Sequence, residues 1–333
     1  MEIRDGASVR ILVTGGAGFI GSHLVRLLLR RPSITRVVNY DALTYAGNPA
    51  NNLREAGNAR YRFVHGNILD GGTLASVIEE ERIDAIFHLA AESHVDRSIM
   101  DSSPFVRTNV EGTLSVLDVV RAHPALRLVH VSTDEVYGAL SADGLPLKED
   151  ARLAPTNPYA ASKAGADHLV ASYAHTYSLD IVTTRSSNNY GPFQLPEKMI
   201  PRFILRALFA HDLPLFGDGK QLRSWIHVSD HCDGLVCTLE RGVRGEIYHL
   251  GSSDELENRF VGERILALTE SASRLAHVTD RVGHDRRYAI DSSKASTELG
   301  FRRSVDFETG LRDTVRWYQE NPTWWMPLAA HAQ

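Results

Sequence analysis

The sequence predicts an α/β fold, a Rossmann-type doubly wound parallel sheet followed by a smaller, mixed C-terminal region. Three observations carry this. Short runs rich in β-branched residues alternate with helical periodicities up to about residue 187, a pattern that implies right-handed crossovers and a parallel sheet. Thr14-Gly-Gly-Ala-Gly-Phe-Ile-Gly21 follows the first such run at once and leads into a helix. Beyond residue 188 the alternation becomes irregular. The expected division is 8–187 for the sheet with its chemistry and 188–330 for a region that mainly holds substrate.

The elements follow in order. Val9 to Val13 is the first strand, and Ser22 to Arg31 a helix with Leu24, Val25, Leu27 and Leu28 available for packing. Gly15, Gly18 and Gly21 form G-x-x-G-x-x-G between them. Such a loop lets backbone N–H groups approach a pyrophosphate at a helix N-terminus, where a side chain would obstruct. Alone, three spaced glycines serve equally well as a tight turn. Context decides: Arg36 to Tyr40 is a second strand, and Asp41 closes it twenty residues past Gly21. A carboxylate there accepts from both ribose hydroxyls and repels a 2′-phosphate, so the expected cofactor is NAD rather than NADP.

Tyr61 to His65 is the third strand. Ala85 to Ala91 is the fourth, nearly all apolar as a central parallel strand should be. Its end, Ala90-Ala-Glu-Ser93, is small enough for a cofactor to lie against the backbone. Pro104 to Arg121 reads as one helix with Val106, Val110, Leu114, Leu117 and Val120 on a stripe. Leu128 to Ser132 is the fifth strand, Asn157 to Tyr177 a helix with Asn157 as N-cap and Pro158 in its first turn, and Ile181 to Arg185 the sixth strand. Gly191-Pro-Phe-Gln-Leu-Pro196 cannot be a regular element.

The chemistry concentrates between residues 129 and 163. Thr133, Asp134 and Glu135 follow a buried strand, and Tyr159 and Lys163 open the next helix. Strand ends and helix starts are where an open α/β sheet places its ligands. Tyr159 and Lys163 are i and i+4, on one helix face. A free phenol titrates near pH 10, and an adjacent ammonium together with a nicotinamide cation favours the phenolate. Without Tyr159 and Lys163, the Asp134-Glu135 pair would read as a solvated loop.

Composition narrows the classes. Thirty-six basic residues against 41 acidic ones leave a net charge of −5, which argues against a duplex nucleic-acid binder. Two cysteines, Cys232 and Cys237, suit a reducing cytoplasm rather than a disulfide framework. No signal peptide or membrane-length apolar run is read. Fifteen histidines raise the question of a metal. His227 and His231 straddle an expected strand–helix boundary, so no metal is expected.

With these residues in hand, the chain resembles the extended short-chain dehydrogenase/reductases. Within them, Thr133-Asp-Glu135 resembles the dTDP-glucose 4,6-dehydratases. So do Asp41-Ala-Leu-Thr-Tyr-Ala-Gly47, Ala90-Ala-Glu-Ser-His-Val-Asp-Arg-Ser98, Asn188-Asn-Tyr-Gly-Pro192, Pro196-Glu-Lys-Met-Ile-Pro201, Gly283-His-Asp-Arg-Arg-Tyr288 and the tail from Trp317-Tyr to Trp324-Trp325. The resemblance implies a nucleotide-sugar substrate, dTDP-glucose, and catalysis by Thr133, Asp134, Glu135, Tyr159 and Lys163. It implies NAD contacts at Gly15, Gly18, Phe19, Ile20, Gly21, Asp41, Leu43, Thr44, Asn67, Ile68, Leu89, Ala90, Ala91, Ser93, Thr108, Tyr159, Lys163 and Asn189. Substrate contacts are implied at Ser93, Thr133, Asn188, Lys198, Met199, Pro214, Phe216, Arg223, Asn258, Arg281 and His284. It also implies a homodimer formed through the helices at 104–121 and 157–177.

Four positions depart from the family pattern. Asn67 stands for Asp, Ser224 for the Asp between Arg223 and Trp225, Asp254 for Asn, and Val282 for Pro. Ser224 is expected to deprive Arg223 of an orienting acceptor. A nucleotide-sugar 4-epimerase or decarboxylase on the same scaffold is the alternative enzyme. Epimerases usually carry small or hydroxyl residues where this chain has Asp134-Glu135, and no cation for a C6 carboxylate is found. A non-catalytic NAD-binding scaffold would not need Tyr159 and Lys163.

Overall fold

The computed structural model describes residues 8–280 and 282–328. In chain order the elements are β1 (Val9–Thr14), α1 (Phe19–Arg30), β2 (Ile34–Asp41), β3 (Tyr61–His65), α2 (Gly71–Glu81), β4 (Ala85–His88), α3 (Val95–Met100), α4 (Ser103–Phe105), α5 (Gly112–Ala122), β5 (Arg127–Thr133), α6 (Pro158–Thr176), β6 (Asp180–Ser186) and β7 (Asn188–Tyr190). Then come α7 (Met199–Leu208), β8 (Leu213–Phe216), β9 (Leu222–His227), α8 (Val228–Arg241), β10 (Ile247–Leu250), β11 (Glu255–Glu257), α9 (Asn258–Leu268), β12 (Leu275–Val278), α10 (Ser293–Glu298), α11 (Phe307–Glu320) and α12 (Pro322–Trp325).

The main sheet runs β10-β6-β5-β4-β1-β2-β3, and every pairing in it is parallel. Helices cover both faces, so strand residues on either side are withdrawn from water. Val9, Ile11, Leu12 and Val13 of β1 are all fully buried, which is why the strand is apolar without alternation. Strand order reverses between β1 and β4, the switch point at which such sheets bind ligands.

Some elements differ from the sequence expectation for identifiable reasons. The fourth strand stops at His88, and residues 89–91 leave the sheet toward the cleft. The expected helix 104–121 is interrupted by a π-type turn at Val106–Glu111. That wider turn shifts the register, so Val106 and Leu114 of the predicted stripe are 47% and 36% exposed, while Val116, Leu117, Val119 and Val120 are buried. Helix α2 has no counterpart in the sequence reading. Its start lies in Gly71-Gly72, poor helix formers, and Asp70 rescues it by accepting from Thr73 N at 3.0 Å.

The chain beyond residue 188 does two things. β7, β9 and β11 form a three-stranded sheet and β8 with β12 a pair, packed with α7, α9 and α11 around their own core of Phe203, Trp225, Leu311 and Tyr318. But β10 also returns to the main sheet beside β6, and Leu235, Val236 and Leu239 of α8 share one core with Leu24, Val25 and Leu28 of α1. Trp324 and Trp325 pack into the C-terminal core, and Trp324 Nε1 also donates to Asn51 Oδ1 at 2.8 Å. No helix among the described residues is long and apolar enough to cross a membrane.

Candidate active site

Thr133 is the last residue of β5, and Asp134 and Glu135 begin a 3-10 turn, Asp134–Tyr137. Tyr159 and Lys163 lie on the first turns of α6, whose start is set by Asn157 Oδ1 accepting from Ala160 N at 2.9 Å. These five side chains line one cleft at the ends of the parallel strands. The same cleft is walled by Gly15, Gly18, Phe19, Ile20, Gly21, Asp41, Thr44, Asn67, Ile68, Leu89, Ala90, Ala91, Ser93, Thr108 and Asn189. A second cleft shares Ser93, Glu135, Asn188, Asn189, Gln194 and Lys198 with it and continues to Met199, Arg223, Asn258 and His284 under the C-terminal region.

Three implied contacts fall elsewhere. Leu43 is outside both linings, although its N–H donates to Asp41 Oδ1 at 2.8 Å. Pro214 and Phe216 lie on β8 outside both linings, with Phe216 edge-on to the His284 ring at 6.1 Å. Arg281 lies outside the described residues. Conversely, His94, Asn157, Glu197, Trp225, Asp285 and Tyr288 line the second cleft. His94, Glu197, Asp285 and Tyr288 sit inside segments singled out by the resemblance, which was the available signal.

The first cleft fits a dinucleotide. Helix α1 has Gly18 at its N-cap and no side-chain cap, so its first N–H groups are left for an anion. Gly15 has φ of 72°, and an added Cβ would meet Ala90 N at 2.8 Å. Glycine there lets the loop after β1 pack directly against the backbone that leaves β4. Asp41 accepts from Leu43 N and, at 2.9 Å, from Ala17 N, which leaves a lone pair on each oxygen for ribose hydroxyls. Asn67 Oδ1 accepts from Leu69 N at 3.0 Å and keeps a second lone pair.

The acids differ in surroundings. Asp134 is 2% exposed, and its Oδ2 has no hydrogen-bond partner. Burial, then the Glu135 charge, pushes its carboxyl up to about 8. Thr133 Oγ1 lies 3.4 Å from Asp134 Oδ1 and accepts from Glu135 N at 3.3 Å. Tyr159 is pushed above the usual phenol range by burial and by the Glu135 and Asp134 charges, and its hydrogen bond with Thr133 pulls the other way. Burial lowers Lys163 to about 8, and its Nζ donates to Val131 O at 2.8 Å.

Arg223 is not left loose by Ser224. Its guanidinium donates to the carbonyls of Leu222 at 2.7 Å, Asp285 at 2.8 Å and Arg286 at 3.4 Å, and lies 4.4 Å from the centre of the Tyr288 ring. Ser224 faces away with an unpartnered hydroxyl, and Asp254 pairs with Arg303 at 3.0 Å. Of the two histidines considered for a metal, His227 caps α8 through Ser229, and His231 Nδ1 bonds Asn189 Oδ1 at 2.9 Å.

The chain matches the family model described as GDP-mannose 4,6 dehydratase over residues 12–314. A dTDP-glucose 4,6-dehydratase of an Actinoplanes species is 48% identical over 327 residues, spanning 95% of this chain and 100% of the relative. DesIV, a dTDP-glucose 4,6-dehydratase from Streptomyces venezuelae solved with NAD bound, superposes with a TM-score of 0.92 at 49% identity, over 96% of this chain and 100% of its own. A UDP-glucose 4-epimerase from Thermotoga maritima superposes with a TM-score of 0.87 over 94% of this chain and 100% of its own, but at 27% identity.

Proposed function

The chain belongs to the dTDP-glucose 4,6-dehydratases of the extended short-chain dehydrogenase/reductase superfamily, and from that premise we propose how its residues divide the chemistry. It is an NAD-dependent hydro-lyase that converts dTDP-glucose to dTDP-4-keto-6-deoxy-glucose. The observation that carries the residue assignment is the first cleft, where the neutral Asp134 and its neighbour Glu135 stand with the Tyr159 phenol, and from which Glu135 also reaches the second cleft.

Tyr159, bonded to Thr133, takes the proton of the sugar 4-hydroxyl as C4 is oxidised. Lys163 holds a positive charge beneath it and has N–H groups to spare for a ribose. When bound, NAD⁺ supplies a cationic ring that favours the phenolate and a carrier for one hydride, removed from C4 and returned to C6. The C4 ketone acidifies the adjacent C5–H, which Glu135 removes as general base. Asp134 donates its proton to the C6 hydroxyl, which departs as water. A proton returns to C5 as C6 is reduced, so the net change is loss of one water. Separate environments let two adjacent carboxyls do opposite jobs. Lys198, whose Nζ donates to Ser93 O at 2.7 Å, and Arg223 are the cations for the diphosphate.

Mass spectrometry of dTDP-glucose after incubation tests the reading. Loss of 18 mass units (~18, one water) without accumulation of NADH is expected. A C4-inverted sugar of unchanged mass would instead make the chain an epimerase. Two copies are expected to pair through α5 and α6, which leave Leu114 and the flanking Val106 and Tyr177 exposed. Sedimentation at twice the 36.9 kDa chain mass checks this. A cytoplasmic location is supported by Cys232 and Cys237 being free thiols.

A further inference from the structure

We propose that Asp167 is a positioning residue for the reaction: it is the buried counter-charge that keeps Lys163 an ammonium beneath Tyr159. The proposal rests on the reading of Lys163 given above. Lys163 is 5% exposed, and its Nζ donates to one backbone carbonyl, which brings no counter-charge. Asp167 lies one helical turn further along α6, on the same face, and is equally buried.

The Asp167 carboxylate is fixed from two strands. His130 Nε2 of β5 lies 3.1 Å from Oδ1, and Arg185 Nε of β6 donates to Oδ2 at 2.9 Å. Arg185 is itself held by the Tyr137 hydroxyl at 2.5 Å, and Tyr137 by His249 Nε2 at 2.7 Å. The groups facing Lys163 and Asp167 are therefore His88 on β4, His130 on β5, Tyr137 after β5, Tyr159 on α6 and Arg185 on β6. Asp134 and Glu135 act on Tyr159 from the cleft side.

Charge accounting within this cluster isolates Asp167. Burial lowers both His88 and His130, so they are neutral at pH 7, and His130 serves as an N–H donor. Burial also pushes the Asp167 carboxyl up, but the His130 hydrogen bond, then the charges of Arg185 and Lys163, outweigh it and hold it below the usual carboxylate range. The cluster thus contains two cations, Lys163 and Arg185, and one anion. Burial strips water from Lys163, and Asp167 is the group that opposes the resulting loss of its proton.

The test reads Lys163 directly. The chain has five lysines, Lys148, Lys163, Lys198, Lys220 and Lys294, so ¹³Cε-lysine labelling gives few resonances, and Lys163→Met assigns the one that disappears. In the NAD-free chain, Asp167→Asn is expected to move the Lys163 midpoint acidward by about one unit or more. Asp167→Glu, which keeps the charge, is expected to leave it near the parent value. In the NAD-loaded enzyme, a dTDP-pentose lacking C6 stops after C4 oxidation. Its rate of NADH formation is expected to fall off at correspondingly lower pH in Asp167→Asn. An unmoved midpoint overturns the proposal. Should Asp167→Asn alone not fold, Asp167→Asn with Arg185→Gln removes one charge of each sign, and its Lys163 midpoint must lie acidward of that in Arg185→Gln alone. Full activity of Lys163→Met would overturn the reading of Lys163 itself, whatever the midpoint does.

Discussion

Asp134 and Glu135 are adjacent carboxyls whose different surroundings suit them to the different work proposed for them. A carboxyl raised to about 8 by burial and by its neighbour is protonated roughly ten to one at pH 7. As general acid it must carry that proton, so turnover is expected to fall as pH rises through about 8. In Asp134→Asn the Asp134 contribution to that limb should be lost, leaving the fall set by Lys163, along with a rate loss of about 10²-fold or more, measured as kcat against pH. The same raised pKa makes a stability prediction for the NAD-free chain. A carboxyl with a folded-state value above its unfolded one contributes stability at low pH that is lost as pH rises through about 8. Asp134→Asn, which never ionises, is therefore expected to unfold at a higher temperature than the parent at pH 8. Glu135→Gln should abolish deuterium incorporation at C5 in D₂O and slow dehydration by about 10²–10⁴-fold. Undiminished exchange would assign the C5 base to another residue. That Thr133, Asp134, Glu135, Tyr159 and Lys163 share one cleft was legible in the sequence because each pair or triplet is local, spaced by one strand end or one helical turn. The burial that separates the two acids was not, since it depends on what the distant segment around Arg223 and Tyr288 places over them.

At the scale of elements, legibility tracked local stereochemistry. Helix α6 announces itself by Asn157-Pro158, and the structure confirms that cap. The π-type turn at Val106–Glu111 announces nothing, because its cause is tertiary. The widened turn carries Asn109 inward, where its Oδ1 accepts from Glu92 N at 2.9 Å and its Nδ2 donates to Glu92 O at 3.0 Å and Ser162 Oγ at 2.8 Å. One side chain thereby ties the loop after β4, which lines the cofactor cleft, to the helix that carries Tyr159. Ser162 completes the link by donating to Tyr159 O at 2.7 Å. Asn109 is 1% exposed, and Asn109→Ala leaves both backbone groups of the half-buried Glu92 without this partner. It is expected to cost about 2–3 kcal/mol in denaturant unfolding and to weaken NAD retention. A change within about 0.5 kcal/mol would mean that water replaces the amide without loss.

At the scale of the molecule, six of the seven strands of the main sheet lie before residue 188 and follow one another with regular helical spacing, which is why the fold class could be read from periodicity. The seventh could not. Ile247–Leu250 is four residues long, lies 61 residues past β6 (247 − 186), and is preceded by strands belonging to other sheets. Yet its place is structural: β10 covers the edge of β6, and α8 fills the space beside α1, with Tyr248, Leu250 and Phe301 in the same core as Val9 and Leu24. A fragment ending at residue 187 would present β6 as a bare edge of buried residues and strip the α8 side chains from α1, an exposed hydrophobic edge of the kind that aggregates. The fragment 1–187 is therefore expected to lack a cooperative thermal transition and to fail to retain NAD, although every glycine and acid of the cofactor loop lies within it. A soluble fragment that binds NAD and unfolds cooperatively would show that the first half is stable without this return. The expected failure would place both halves in one folding unit, with the substrate cleft forming only when the chain has come back to the sheet.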